Sequence, residues 1–452
     1  HRPKPPQTFD PTCQPSDVGG TLGYPVRPGD PSLMAHNTAL PIFGQRPPLS
    51  AHPLSGEGDR ARGPVRSLYI HTPFCSHKCH YCDFYSIVDT RDRQAPFLDR
   101  LERELEALAP FASGLPLLTI FVGGGTPSLL RLELWQRLLA TLGRLFDMSE
   151  MRGGDGGTGE FTVECNPETV TPELMATLKE GGVSRVSIGA QSFNPVHLKT
   201  LERWHDPANV ARAVGLARSA GILRQSVDLI FAIPGQTPSD WADDLSRAVA
   251  LGTEHISCYA LTYEPNTAMT ARLKRGEFSP AEEELEANLF EQTLATLRSA
   301  GLDRYEVSNF ARPGAECRHN MAYWRQDQWL AAGPSASGHV AGHRWKNPPR
   351  LDDYLAVAGG LGPVVDHEPP DRERALVERM MTGLRLSEGF ASAEVLAEAD
   401  AIRPMAAGRL EGAARRMAED GRLTLGDRWQ LTDSGFLIAD RLIVDFMDAL
   451  EG

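Results

Sequence analysis

Cysteine is scarce in this chain. Seven residues in 452 cannot staple a protein of this length, so a disulfide framework is excluded as its organising principle. Long apolar runs are also missing. No stretch approaches the roughly 18–20 consecutive apolar residues of a membrane span. The first thirty residues lack the basic-then-apolar layout of a secretory signal. A cytoplasmic location is therefore expected, with peripheral membrane contact left open. An excess of positive charge is absent too. Lys and Arg number 46 against 59 Asp and Glu, a net charge of −13, which argues against a sequence-independent grip on phosphate backbones and so against a nucleic-acid partner.

What is present is unevenly distributed. Residues 1–65 hold thirteen of the 34 prolines and little periodic apolar pattern, and read as a disordered, Pro-rich leader. From 66 to 310 the pattern alternates. Short apolar runs at Ser67–His71, Leu117–Val122, Phe161–Glu164, Ser184–Ile188, Ser226–Phe231 and His255–Tyr259 read as strands. Segments of helical period separate them, such as Phe97–Ala109 with Leu98, Leu101, Leu105 and Leu108 on one face. Six βα repeats imply a parallel sheet and predict an α/β fold, an open partial (β/α)6 barrel whose sites collect at the carboxyl ends of the strands. A helix over Pro280–Ala300 and a strand at Tyr305–Val307 follow. Residues 311–369 form a loop-rich connecting segment dense in His and Trp. Residues 370–452 predict a mainly helical, winged-helix-like domain, with short strands around Gly426-Asp427.

Cys13, Cys165, Cys258 and Cys317 are scattered, whereas Cys75, Cys79 and Cys82 sit within eight residues, in "HTPFCSHKCHYCDFY". Three thiolates on one tight loop can hold three irons of a [4Fe–4S] cubane and leave the fourth open to the amino and carboxylate groups of S-adenosylmethionine (SAM). Zinc is the alternative, because His71, His77 and His80 lie nearby and three Cys with one His is a common structural set. Position favours the cluster: the triplet follows the first strand of a βα repeat, at the face where active sites are built.

The ends of the next strands carry further polar groups. The second ends in "FVGGGTPSLL", where successive glycines let the backbone approach a ligand. The third ends in "VECNPE" with Glu164 and the fourth in "SIGAQSFN" with Gln191. Arg203 follows in "LERWHD", and Asp228 lies inside the apolar strand "SVDLIF". Each alone reads more plainly as an exposed acid, a capping amide or a surface guanidinium, except Asp228, since an acid in an apolar strand needs a partner. Recurring at successive strand ends, together they would suit the polar groups of SAM.

Cys-x3-Cys-x2-Cys with Tyr81 before the third Cys, then GGGTP, E-x-N-P, G-x-Q-S-F and a downstream Arg and Asp, resembles the radical SAM family from about Ser67 to the C-terminus. Within it the chain is similar to the coproporphyrinogen III dehydrogenase-like branch. The resemblance implies the partial barrel, a [4Fe–4S] cluster on Cys75, Cys79 and Cys82, and a SAM pocket lined by Tyr69, Tyr81, Gly124, Gly125, Thr126, Glu164, Gln191, Arg203, Asp228 and Ala260. Two sub-types share this framework. The true oxygen-independent dehydrogenases, which decarboxylate propionates through a 5′-deoxyadenosyl radical, carry a further Cys two residues after the triplet and an N-terminal R-Y-T-S-Y-P-T segment. Here that position is Phe84, and no such segment precedes Ser67. The haem chaperones, which deliver haem to target proteins, are matched by Cys82-Asp83-Phe84 and by an H-N-x-x-Y-W signature at His319, Asn320, Tyr323 and Trp324. An imidazole is a standard axial ligand of haem iron, neighbouring aromatics can pack on the macrocycle, and Arg318 or Arg325 could pair with its propionates. Loop-stabilising His319 and Asn320 beside core-filling Tyr323 and Trp324 is the plainer reading of the same residues. The resemblance favours haem, with haem-receiving, respiratory proteins as partners and Cys317 as a lesser candidate ligand.

Overall fold

The computed structural model describes residues 48–56, 65–152 and 158–452. The apolar runs form parallel strands β1 (Ser67–Thr72), β2 (Thr119–Gly124), β3 (Glu160–Cys165), β4 (Arg185–Gln191), β5 (Arg224–Phe231) and β6 (His255–Ala260). Leu68, Ile70, Ile120, Val122, Phe161 and Val163 are fully buried, as in a parallel sheet whose faces are both covered. The first five strands are each followed by a helix: Gln94–Leu108, Leu132–Leu145, Pro172–Glu180, Ala208–Ser219 and Pro238–Ala250. Helix starts are written locally. Thr171 and Thr237 accept N–H bonds at two N-termini, each followed by Pro, and Thr237 with Asp240 completes a capping box.

The sheet is larger than six strands. Its order is β7-β8-β6-β5-β4-β3-β2-β1-β9, with β9 (Leu330–Ala332) added parallel to β1, and β8 (Asn309–Ala311) and β7 (Asp303–Arg304) antiparallel beyond β6. It runs open from β7 to β9, the partial barrel expected. The strand expected at Tyr305–Val307 is instead the turn between β7 and β8: the Tyr305 N–H bonds the Asn309 carbonyl at 3.1 Å, and Glu306 makes only an isolated bridge to Leu386.

The connecting segment builds a small antiparallel sheet of β10 (Ser337–Val340), β11 (His343–Lys346) and β12 (Val365–Glu368). Residues 48–56 dock on it. Ser50 bridges Val364, and the His52 ring lies edge-on to Trp345 at 5.0 Å. That part of the Pro-rich stretch is thus packed rather than loose; residues 1–47 and 57–64 lie outside the described residues.

Toward the C-terminus, helices Arg372–Arg385, Ser392–Ile402, Ala406–Glu419 and Ala439–Glu451 surround a separate apolar core that includes Leu376, Met380 and Phe446. A three-stranded wing, β13 (Phe390–Ala391), β14 (Leu423–Thr424) and β15 (Arg428–Leu431), packs Trp429 on Phe446 at 5.8 Å. Its turn falls at Gly426-Asp427, as expected. Among the described residues no helix is long and apolar enough to cross a membrane.

Candidate functional site

The carboxyl ends of the parallel strands converge on two cavities that share a wall. The loop after β1 carries the three cysteines, and backbone bonds stitch it down. Cys75 N–H reaches the Ile87 carbonyl (2.9 Å), while Gly125 and Thr126 N–H reach the carbonyls of Thr72 and Phe74 (2.7 Å each). The glycine run is what allows this. Gly124 has φ +103°, and a Cβ there would collide with the His71 ring; a Cβ on Gly125 would lie 2.7 Å from the Phe74 carbonyl oxygen. Besides lining the cavity, these glycines therefore let β2 press against the cysteine loop.

Cys75, Cys79 and Cys82 open on a cavity of about 700 Å³, also lined by Tyr81, Gly124, Gly125, Thr126, Glu164, Gln191, Arg203, Asp228 and Ala260. Nine of the ten residues expected around SAM are thus brought together with the cysteines. Tyr69 faces the neighbouring cavity instead. Three residues of β1 still follow it before the loop, and its ring turns toward Phe121 (6.3 Å) while its hydroxyl bonds His71 Nδ1 at 3.0 Å.

The electrostatics of this wall are tuned. Asp228 has the partners its strand position demands: the hydroxyls of Ser257 (2.7 Å), Ser187 (3.0 Å) and Ser226 (3.3 Å) donate to it. Burial still raises its proton affinity. Glu164 accepts the Gly124 N–H at 3.1 Å, and burial, then the charge of Asp228, pushes its carboxyl up to about 7. Arg203 donates to the Gly189 carbonyl (3.0 Å) and toward Cys79 Sγ (3.8 Å), while its Nε is buried without a partner among the described residues. Gln191 sits at a β-bulge with φ +63°, a strained position of the kind found at ligand sites.

The second cavity, about 500 Å³, is walled by Tyr69, Phe121, Tyr323 and Trp329, with Asn320, His319 and Lys346 also at its surface. Glu164, Ser187, Asp228 and Tyr259 line both cavities. His319 is 1% exposed, and both ring nitrogens are engaged, Nδ1 with Thr119 Oγ1 (2.8 Å) and Nε2 with the Tyr323 hydroxyl (2.9 Å). Burial lowers its pKa to about 4, so the ring is neutral. The expected axial ligand therefore has no vacant nitrogen; here it fixes Tyr323. Cys317 donates its thiol to Glu160 at 3.3 Å and is pushed up to about 12, chiefly by burial. Trp324 lines neither cavity. Nor do Arg318 and Arg325, and Arg325 pairs with Glu388 at 3.0 Å. The cations that do reach the second cavity are Arg185 and Lys346.

Sequence reasoning missed Glu160, Arg185 and Lys346. Glu160 is wholly buried and receives the N–H groups of Arg318 (3.2 Å) and His319 (3.3 Å), so it anchors the helix Arg318–Trp324 over the cavity. Nothing local in "GEFTVE" signals partners more than 150 positions away.

The donor set fits a cluster better than a single ion. The three thiols open on a cavity rather than being closed off by a fourth protein donor, as a cluster with a vacant corner requires. Beside them lie the carboxylates, the amide and the guanidinium that a charged nucleotide requires.

Comparisons agree with this geometry. Residues 69–248 match the Radical SAM superfamily. The protein named Heme chaperone HemW of Mycobacterium tuberculosis is 37% identical over 393 residues, 84% of this chain and 94% of that one. That of Escherichia coli K12 is 34% identical over 394 residues, 85% and 98% respectively. Among solved structures, coproporphyrinogen III oxidase (HemN) from Escherichia coli superposes with a TM-score of 0.73 at 22% identity, covering 89% of this chain and 96% of its own, which speaks for the fold. The chain belongs to the radical SAM superfamily, in the family of the HemW proteins, and that membership implies a [4Fe–4S] cluster and SAM.

Proposed function

We propose that this protein is a haem chaperone, binding haem next to a cluster-and-SAM site and passing it to recipient, respiratory proteins. The observation that carries the reading is the second cavity: an aromatic chamber against the same Glu164–Asp228 wall that closes the cysteine cavity. Tyr69, Phe121, Tyr323 and Trp329 offer flat apolar faces to a macrocycle. Lys346, which forms no ion pair with a described residue, suits a propionate. Arg185 lies deeper in the wall, its Nε buried without a partner among the described residues, and nearby negative charges that include Glu160 and Asp228 keep its guanidinium protonated against the cost of burial. His319 enters as a positioning residue, holding the Tyr323 hydroxyl from below. Asn320 bonds Tyr305 and steadies the same helix.

In the neighbouring cavity Cys75, Cys79 and Cys82 would hold the cluster, and Tyr81, Gly124, Gly125, Thr126, Glu164, Gln191, Arg203, Asp228 and Ala260 would surround SAM. When bound, that pair supplies one-electron chemistry at a sulfonium. The chain's own part is to keep Glu164 and Asp228 dry and to hold Arg203 against Cys79. The relatives named Heme chaperone HemW support this reading over decarboxylation of coproporphyrinogen, and so does Phe84, which stands where the dehydrogenases carry Cys.

The test is anaerobic cluster reconstitution followed by haem titration. One haem per chain is expected, with weaker binding in Lys346→Gln. A cluster-loaded sample that takes up no haem overturns the proposal. So does SAM- and reductant-dependent formation of protoporphyrinogen, which would establish the enzyme instead.

A further inference from the structure

The chain leaves β4 at Gln191 and comes back to it at Arg203, and both residues line the cysteine cavity. They meet over one glycine. Arg203 Nη2 donates to the Gly189 carbonyl at 3.0 Å, and a Cβ on Gly189 would lie 2.7 Å from Gln191 Nε2 and 3.1 Å from Arg203 Nη2. Gln191 reaches this position through a tight turn: the Ser192 N–H bonds the Ala190 carbonyl at 2.8 Å, across Gln191 at φ +63°. A three-residue turn with positive φ is strained, and it persists only where its surroundings over-determine it.

The surroundings are supplied by a carboxylate that lines neither cavity. Asp244, on the helix Pro238–Ala250, is wholly buried, and both its oxygens are spent on the residues directly after Gln191. Oδ2 accepts the Ser192 hydroxyl at 2.7 Å and Oδ1 the Phe193 N–H at 2.6 Å. The Ser192 oxygen in turn accepts the Asn194 N–H at 3.0 Å. One turn earlier on the same helix face, Asp240 accepts from Asn194 Nδ2 at 3.3 Å and lies 3.6 Å from His197 Nε2. Asn194 caps the short helix Pro195–Thr200, and the Arg203 N–H bonds the Leu198 carbonyl at 2.9 Å. The register set at Asp244 is thereby carried along the loop to Arg203.

We propose that Asp244 is a positioning residue for SAM: clasping Ser192 and Phe193, it holds Gln191 and Arg203 in the arrangement that receives the nucleotide. The inference rests on the reading that SAM occupies the cysteine cavity. It is the acceptor geometry that matters. Asn at this position still accepts the Phe193 N–H and can donate its amide to the Ser192 oxygen, whereas Ala leaves a buried N–H and a buried hydroxyl without acceptors.

Ser192→Ala, Asp244→Ala, Asp244→Asn and Gln191→Ala are compared with wild type as full-length, cluster-reconstituted proteins at matched iron content. SAM affinity is read from the change that SAM makes in the paramagnetic resonance of the reduced cluster. It should fall on the order of tenfold in Ser192→Ala, the worth of one hydrogen bond to a charged acceptor, and further in Asp244→Ala; Asp244→Asn should recover most of the loss. Without SAM, amide exchange over 192–203 should accelerate in the two Ala variants of the clasp while β1 and β2 keep their protection, which separates local loosening from misfolding. Wild-type SAM affinity in Ser192→Ala overturns the proposal, even if its melting temperature falls, and so does an Asp244→Asn variant that binds SAM as poorly as Asp244→Ala. Gln191→Ala tells two failures apart. If it weakens SAM binding and Ser192→Ala does not, the clasp alone is wrong; if neither does, the reading of the cavity is wrong and the clasp falls with it.

Discussion

Replacing Glu160 by Gln should loosen the roof of the second cavity without touching anything inside it. The carboxylate is fully buried and receives four donors: Arg224 Nη1 at 3.2 Å, the N–H groups of Arg318 and His319, and the Cys317 thiol. Burial pushes its proton affinity up, but Arg185 and Arg224 with the two amides outweigh that and hold it below the ordinary carboxylate range. Removing one charge from a buried, hydrogen-bonded pair costs about 3–5 kcal/mol. Gln keeps one acceptor oxygen for the amides, so the lower end applies, about 3 kcal/mol. Spent on undocking the seven-residue helix Arg318–Trp324, that energy raises its open population on the order of a hundredfold.

The assay is amide hydrogen exchange across 318–324 in the variant and the wild type, beside haem titration of both. Exchange of these amides should accelerate steeply while amides in β4 and β5 keep their protection, and haem should bind more weakly. The pH dependence gives a second handle. Because the folded-state pKa is depressed, this carboxylate's contribution is full above the unfolded value near 4.5 and is lost as pH falls through the folded value. Wild type should lose that increment on acidification, and Glu160→Gln should lack it. Unchanged exchange over 318–324, with an unchanged acid limb, would refute the reasoning.

Cys79→Ser should abolish the cluster yet leave the far-ultraviolet spectrum and the β-sheet intact, since the loop lies outside the apolar core; retained iron and sulfide would show the ligand assignment to be wrong. Gly124→Ala should destabilise by about 1–3 kcal/mol, because φ +103° and the His71 ring both oppose a Cβ, and thermal melting at matched cluster content checks it. His319→Ala should weaken haem binding, through Tyr323 and a buried cavity, while the haem spectrum keeps its wild-type ligand signature; a shifted spectrum would return His319 to the iron. Glu164, with its carboxyl near 7, should make haem affinity fall between pH 6 and 8 as its charge appears beside the propionates. Glu164→Gln should remove that slope, and equal slopes by titration would dismiss the shared wall as an electrostatic coupler.

What was legible followed from short-range rules. The strands β1–β6 announced themselves because a parallel sheet buries both faces, leaving continuous apolar runs such as those around Ile70, Val122 and Val163. The cysteine loop was legible because its spacing is local, and the strand ends because a parallel sheet sends all of them to one side. The failures share one cause. β9 is three residues, Leu330–Ala332, and pairs with the open edge of β1, whose residues lie 262 positions earlier. The glycines do line the cavity, but two of them are also required by the His71 ring and the Phe74 carbonyl, contacts that no spacing in "GGGTP" encodes. His319 invites assignment to iron because an imidazole beside Tyr and Trp suits a porphyrin, but its partner Thr119 comes from β2, 200 residues away. A residue type states which bonds a side chain can make; only the assembled sheet states which of them are already taken. By that measure the cysteine trio is a donor group that the fold gathers at the rim of a cavity, whereas His71, His255 and His319 each have both ring nitrogens spent on neighbours.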